Sequence, residues 1–323
     1  YSFLKEQYSN VEYYIPDRYR EGYGVSVVGI DYAFQNNCRV MITLDCGIKA
    51  LEKIKYARTK GIDVIVCDHH YPGDEIPKAV AVLDPKQPSC SYPYKELSGC
   101  GVGFKLIHAF SRVHGIPFSR IIHYLDLVAV SIASDIVPLN GENRILAYYG
   151  LKQLNEAPRT GLKEIIREAE VCRSLTIEDV VFKIGPRINA AGRMESGSKV
   201  VELLVSSDIK QAADISREIN SFNLERRTID RDITTQAMRM ISDDKRAINA
   251  KTTVLYNPSW KKGVIGIVAS RLIETYYRPT VILTESNGFA TGSARSVQGY
   301  DLYQAIESCS DLLESFGGHM FAA

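Results

Sequence analysis

The sequence predicts an α/β protein: a parallel-sheet domain joined by a long helix to a second, smaller α/β domain. Three observations carry this. Residues 39–67 read as strand, helix, strand. Arg39 to Leu44 and Gly61 to Cys67 are short apolar runs rich in β-branched residues, and Ile48 to Lys60 places Leu51, Ile54 and Ala57 at helical spacing. A unit of that length must have parallel strands. Asp208 to Asp243 is one long helical stretch, with Ile215, Ile219, Phe222, Ile229, Ile233 and Met240 at heptad-like positions and Arg226 and Gln236 interrupting the seam. After Lys245 the α/β pattern restarts.

Taken in order, Tyr1 to Lys5 looks like the middle of a helix and Val11 to Ile15 predicts a strand. The loop with Pro16, Arg18, Glu21, Gly22, Tyr23 and Gly24 is polar and Gly-rich; on composition alone it is a surface loop. The two parallel strands end in Asp45-Cys46-Gly47 and Asp68-His69-His70. Parallel neighbours end on one edge, so these residues should lie side by side where open α/β sheets bind ligands. Ala79 to Leu83 is a third strand, closed by Asp84-Pro85. Ser98-Gly99-Cys100-Gly101-Val102-Gly103 leads into a helix from Phe104 to His114. Its glycines suit either backbone approach to a phosphate or a tight helix–sheet contact. The apolar run from Tyr124 to Ala133 ends at Ser134-Asp135, where Asp135 reads as an N-cap or as another ligand at the sheet edge. Helices follow at 143–155, 161–169 and 176–184.

Pro186 to Met194 sets Arg187, Asn189 and Arg193 among small residues, which suits approach to an anion with Arg forks around it. On the long helix Arg227, Arg231 and Arg239 share a face, but Glu225, Asp230 and Asp232 dilute their charge, so it reads as a solvated connecting helix rather than a nucleic-acid stripe. The second domain has strands at Thr252–Tyr256, Thr280–Thr284 and Phe289–Ala294, a helix at Val264–Tyr276, and a helical segment Asp301–Ser315 broken near Cys309. Gly317-Gly318-His319 closes the pattern.

Composition bounds the function. The hydrophobic share of 45% and charged share of 24% are those of an ordinary globular protein, and no apolar run is long enough to span a membrane. A net charge of +1 means that any polyanion site must be local. Seven cysteines without a C-x-x-C pair fit a reducing cytoplasm better than a disulfide framework. The chain opens at Tyr1 and stops at Ala323 without helix-start or stop signals, which reads as an internal piece of a longer protein.

Asp45, Asp68, His69, His70 and Asp135 form a carboxylate and imidazole set without a thiolate. Such a set suits Mn²⁺ or Mg²⁺ better than a structural Zn²⁺. A carboxylate at a central strand end can bridge two ions, and two ions about 3.5–4 Å apart can clamp the attacking and leaving oxygens of a phosphoryl displacement. His108, His114 and His123 sit within helical runs and read as structural.

Asp68-His69-His70 resembles the signature of the DHH phosphoesterases, and Asp45-Cys46-Gly47 their preceding Asp motif. Glu21 to Gly24, Ser98 to Lys105, Ser134 to Pro138, Pro186 to Met194, Trp260 to Arg271, and Gly292 to Ser296 with Gly317-Gly318-His319 resemble, in order, a single-strand-specific exonuclease branch of that family. The resemblance implies a DHH domain over 1–207, a connecting helix over 208–248 and a DHH-associated C-terminal domain over 249–323, with a cleft between the domains. It implies two Mn²⁺ or Mg²⁺ ions, with Asp45 bridging them, His69 and Asp135 completing one ion's shell, Asp68 supporting the histidines, and His70 against the scissile phosphate. Substrate would be bound by Arg187, Asn189, Arg193, Ser293, Arg295, Ser296, Gly317, Gly318 and His319.

The activity so implied is removal of nucleotides from the 5′ end of single-stranded DNA, in DNA repair and recombination, by a cytoplasmic monomer, with a helicase or single-strand-binding protein as further partner. The family's Asp-x-Asp cluster, a source of ligands to both ions, is absent from this stretch, as is its nucleotide-binding OB-fold domain. The 323 residues by themselves are therefore expected to be a poor nuclease, with apolar surface exposed at Val40 to Leu44 and Val64 to Val66. Two rivals remain: a nanoRNase or cyclic-dinucleotide phosphodiesterase of the same superfamily, and a non-catalytic scaffold that binds DNA or replication partners.

Overall fold

The computed structural model describes residues 1–323 apart from Tyr19, Ile136, Ser315 and His319. It divides into two compact units, Tyr1–Asn220 and Ser221–Ala323, with the division inside a long helix.

The first unit is built on a three-stranded parallel sheet in the order β1 (Val40–Leu44), β2 (Asp63–Cys67), β3 (Ala81–Leu83). Val40 lies opposite Asp63 and Leu44 opposite Cys67, and Cys67 in turn lies opposite Leu83. The apolar run of β2 is continuous because the strand is covered on both faces. Its side chains alternate between two cores. Val64 and Val66 join Val25, Ile30, Ile54 and Ala57 on the side of helices α2 (Val27–Gln35) and α3 (Leu51–Thr59), which follow a short α1 (Ser2–Gln7). Ile65 and Cys67 face Leu97, Val102, Phe104, Leu125 and Val128, carried largely by α4 (Gly99–Val113) and α5 (Leu125–Ser134). The unit continues through α6 (Gly141–Glu156), α7 (Thr160–Glu168), a short α8 (Ile177–Asp179), a π-helical turn at Val180–Ile184, α9 (Gly185–Met194) and α10 (Ser198–Val205).

Several expectations are corrected. Residues 11–15 form no strand. Their side chains pack singly instead, Tyr13 edge-on to Tyr1 and Tyr14 against Tyr32, and no sheet edge is paired with this backbone. The apolar run before Asp135 is a helix buried on most sides, so Asp135 is a helix C-cap and neither an N-cap nor a strand-end residue. The glycines at 99, 101 and 103 lie inside the first turns of α4, behind the N-cap Ser98, whose hydroxyl accepts from the Gly101 N–H. Strand β1 is a sheet edge, with Val40 52% and Leu44 53% exposed, but Val64 and Val66 are buried because β2 is central.

Helix α11 (Ile209–Ser242) runs from the first unit into the second. Within the second unit its Ile233, Ala237 and Ile241 pack with Trp260, Val264, Val268 and Leu272, the last three on α13 (Lys262–Tyr276), after a short α12 (Lys245–Ile248). The sheet of this unit has the order β4 (Thr253–Tyr256), β5 (Thr280–Ser286), β6 (Phe289–Arg295); β4 and β5 are parallel, β5 and β6 antiparallel. A single turn pair, α14 (Leu302–Glu307) and a 3₁₀ turn at Ser310–Leu312, follows, and Ala322 bridges back to Arg295. No described helix is long and apolar enough to cross a membrane, and the seven cysteines are all free.

Candidate metal centre

The centre starts from how β1 ends. The Asp45 N–H extends the ladder to the Cys67 carbonyl at 2.9 Å, and the chain then turns with Asp45 at φ 64° and Gly47 at φ 115°. Asp tolerates the left-handed region better than most residues, and the Thr43 hydroxyl fixes the turn by donating to the Cys46 carbonyl. A Cβ at Gly47 would lie 2.8 Å from that hydroxyl, so only glycine fits there.

Asp68, at the end of β2, ties the two strand ends together. It is buried, and its oxygens accept from the N–H groups of Ile48 at 2.9 Å, His69 at 2.8 Å and His70 at 3.2 Å, and from Nδ1 of His70 at 2.7 Å. Burial pushes its carboxyl up, but these donors outweigh burial and hold it below the usual carboxylate range. The same bond chiefly raises the His70 imidazole, whose ring is otherwise exposed.

Next in the chain, His69 turns inward. Its Nε2 lies 3.0 Å from Oδ1 of Asp45 and 3.2 Å from Oδ2 of Asp135, yet makes no aligned hydrogen bond with either, and Nδ1 is also buried without a partner among the described residues. Donors that converge on one space without bonding one another suit a shared cation. Burial works against a protonated His69, and the two carboxylates more than offset it. Asp135 is pushed up chiefly by burial. Among the described residues, Asp45, His69 and His70 bring ligand atoms within 4.8 Å of one another.

The glycine run has a steric reason here. A Cβ on Gly99 would stand 2.2 Å from Oδ1 and 2.5 Å from Cγ of Asp45, and one on Gly103 would be 3.0 Å from Leu44. The first turn of α4 therefore presses on the Asp45 carboxylate, and the close-contact alternative holds for Gly99 and Gly103. At the far end of α5, a Cβ on Gly185 would meet the Ser134 hydroxyl at 2.6 Å, which brings the start of α9 beside the residue before Asp135.

The structure places the other candidates as follows. Arg187 lies on α9 with its guanidinium donating to the carbonyls of Lys183 and Glu168 and to the Asn220 side chain, so these donors tie helices together. Asn189 and Arg193 are half-buried on the same helix. In the second unit Ser293 and Arg295 alternate onto one face of β6 over Gly266 of α13, and Arg295 donates to the Ser293 hydroxyl at 3.1 Å. Ser296 donates to the Tyr300 carbonyl. Gly317 is open, whereas a Cβ on Gly318 would stand 2.2 Å from the Ala322 carbonyl oxygen; His319 lies outside the described residues.

Three residues that the sequence names, but gives no role at the site, support it. Glu21 organises its loop, accepting from Tyr14, Ser26 and the Asp17 N–H, and these bonds hold its carboxyl low although burial opposes them. Arg18 in that loop lies over the Tyr23 ring and against Gly192 of α9. Asp84, at the end of β3, is buried, and burial pushes its carboxyl up, with Asp68 adding to the rise and Lys86 and His69 opposing it. Acid in a polar turn gives no sequence signal for such roles; only the tertiary partners reveal them.

Residues 1–132 match the DHH family, N-terminal domain, and residues 249–323 match the DHHA1 domain. The single-stranded-DNA-specific exonuclease RecJ of Bacillus subtilis is 40% identical over 99% of this chain and 40% of its own length; that of Escherichia coli is 35% identical over 98% and 58%. A crystal structure of the exonuclease RecJ bound to manganese superposes with a TM-score of 0.81 at 32% identity, covering 96% of this chain and 76% of that one. The chain thus spans about half the length of the curated relatives it matches. With both domain matches in order and the fold shared throughout, the chain belongs to the DHH family, in its RecJ-like branch.

Proposed function

We propose that this chain carries the catalytic part of a Mn²⁺- or Mg²⁺-dependent exonuclease that hydrolyses single-stranded DNA from the 5′ end and serves DNA repair and recombination. The observation that carries it is the meeting of Nε2 of His69 with Asp45 and Asp135, at 3.0 and 3.2 Å, from three separate segments. Relatives named single-stranded-DNA-specific exonucleases, matched over nearly the whole chain, support the substrate.

In this reading Asp45, His69 and Asp135 would hold the ion, and Asp45 would be shared with a second one. The donor set is oxygen and imidazole without thiolate, which fits a hard divalent cation. Bound there, such a cation supplies Lewis-acid stabilisation of the charge that builds on the phosphoryl oxygens. Asp68 holds both histidine backbones and directs the His70 ring. His70 takes its bond to Asp68 through Nδ1, and that bond favours the protonated ring, whose Nε2–H would then donate to a phosphate oxygen. Asn189, Arg193 and Arg187 in the first unit, and Ser293, Arg295, Ser296, Gly317, Gly318 and His319 in the second, would bind the DNA backbone. The domains in this reading are 1–207 and 249–323, joined by the helix at 208–248. The protein would act as a monomer on strands that a helicase or single-strand-binding protein supplies.

The test uses the protein extended to the length of its curated relatives. It should release nucleotides from the 5′ end of single-stranded DNA and stop in EDTA. His70→Ala should keep its Mn²⁺ and lose turnover. Preference for di- to pentanucleotides, release from the 3′ end, or full rate in metal-loaded His70→Ala would refute the reading.

A further inference from the structure

Among the buried polar atoms beside the centre that have no hydrogen-bond partner among the described residues are Nδ1 of His69 and Oδ2 of Asp84. Asp84 is only 2% exposed, and its other oxygen accepts from the Lys86 N–H at 2.8 Å. Strands β2 and β3 are parallel, Cys67 lies opposite Leu83, and the Asp68 N–H donates to the Leu83 carbonyl. Asp84 and the Asp68-His69 pair therefore step off neighbouring strand ends together. An imidazole that offers Nε2 to a cation must carry its proton on Nδ1. A buried N–H without an acceptor and a buried carboxylate oxygen without a donor are both unfavourable, and one water between them satisfies both.

We propose, on the reading that His69 holds a cation, that Asp84 is a positioning residue: its Oδ2 accepts, through one water, the proton on Nδ1 of His69 and so keeps Nε2 turned to Asp45 and Asp135. Carboxylates behind ligand histidines fix the tautomer and ring orientation and raise ligand basicity. The competing role is structural. Asp84 caps the turn that follows β3, where the Gln87 N–H also donates to its carbonyl. Asp84→Asn separates the two, because asparagine keeps the acceptor for Lys86 and replaces Oδ2 with a donor.

The experiment compares the 323-residue chain with D84N by proton–nitrogen correlation of the imidazoles under saturating Mg²⁺, by Mg²⁺ titration, and by thermal melting without metal. The expected result is an exchange-protected Nδ1–H on His69 that D84N loses, with Mg²⁺ affinity about 10–100-fold weaker and the metal-free melt unchanged. A D84N chain that keeps the protected proton and the Mg²⁺ affinity overturns the role of Asp84 alone. A parent chain whose His69 nitrogens do not respond to Mg²⁺ overturns the metal reading, and the proposal with it. Should D84N fail to fold, D84S caps the turn with its single oxygen and carries the same outcomes.

Discussion

Asp68 and Asp126 are equally buried, each 1% exposed, and they are neutralised in opposite ways. Asp126, on α5, takes a bidentate fork from Arg159, with Nε and Nη2 both at 2.7 Å, and the Leu127 N–H completes its shell. The guanidinium lies over the Tyr124 ring and also reaches the Leu204 carbonyl. That cluster contains its own cation and closes on itself. Asp68 takes backbone N–H groups and one imidazole, and His70 is its only ion-pair partner among the described residues. Beside it stand Asp45 and Asp135 around a single buried imidazole. A buried acid with its own arginine marks architecture; a set of acids that makes no ion pair with lysine or arginine among the described residues has the character of a place for a cation from outside.

The sharpest way to break the comparison is to remove the internal cation. Arg159→Ala should destabilise the first unit by about 3–5 kcal/mol, because it strands a buried carboxylate. Chemical denaturation measures this, and Asp126→Asn in the same background should recover part of the loss. Next comes Gly99→Ala. The added methyl would fall inside the Asp45 side chain, so the variant should lose its Mn²⁺ binding in calorimetry and about 1–3 kcal/mol of stability. Gly73→Ala, with nothing near its Cβ, should change neither and serves as the control.

Asp68→Asn should act on the centre far more than on the fold. Its ring contact to His70 weakens, and Mn²⁺ affinity should fall about 10–100-fold in titration. Equal affinity would show that the histidines need no such support. The smallest effect is expected at Asp179, whose carboxyl the Thr176 backbone N–H, then Arg173, Lys183 and the Thr176 hydroxyl hold below the usual range. A depressed carboxyl contributes stability above its unfolded value, about pH 4, and loses it as pH falls through the folded one. The melting-temperature gap between the parent chain and Asp179→Asn should therefore be widest near neutrality and narrow in acid.

What the sequence made legible follows from how far each signal reaches. The unit from β1 to β2 was readable because two short, β-branched apolar runs flank a segment of period 3.6 within about thirty residues, and parallel connectivity then puts Asp45 beside Asp68-His69-His70. The segment before Asp135 was not, since a fully buried helix and a fully buried strand share the same unbroken apolar run. Residues 11–15 carry strand composition but meet no strand to pair with. The glycines of α4's first turns left two readings open, and for Gly99 only the position of the Asp45 carboxylate decides between them. Asp84 and Glu21 look like ordinary turn acids until their partners, or the lack of one, are known.

The three ligand candidates stand on unlike footings. Asp45 and His69 follow strand ends whose register is locked by the β1–β2 ladder, whereas Asp135 caps the C-terminal end of a helix. The carbonyl end of a helix carries partial negative charge, so a carboxylate there is opposed by its own helix. A divalent cation held there, as proposed, would relieve that opposition and gain from it, because the helix end adds to the field that would attract the ion. The α5 terminus thus lends its partial charge to the centre from the helix side, while the strand side is held by the β1–β2 ladder.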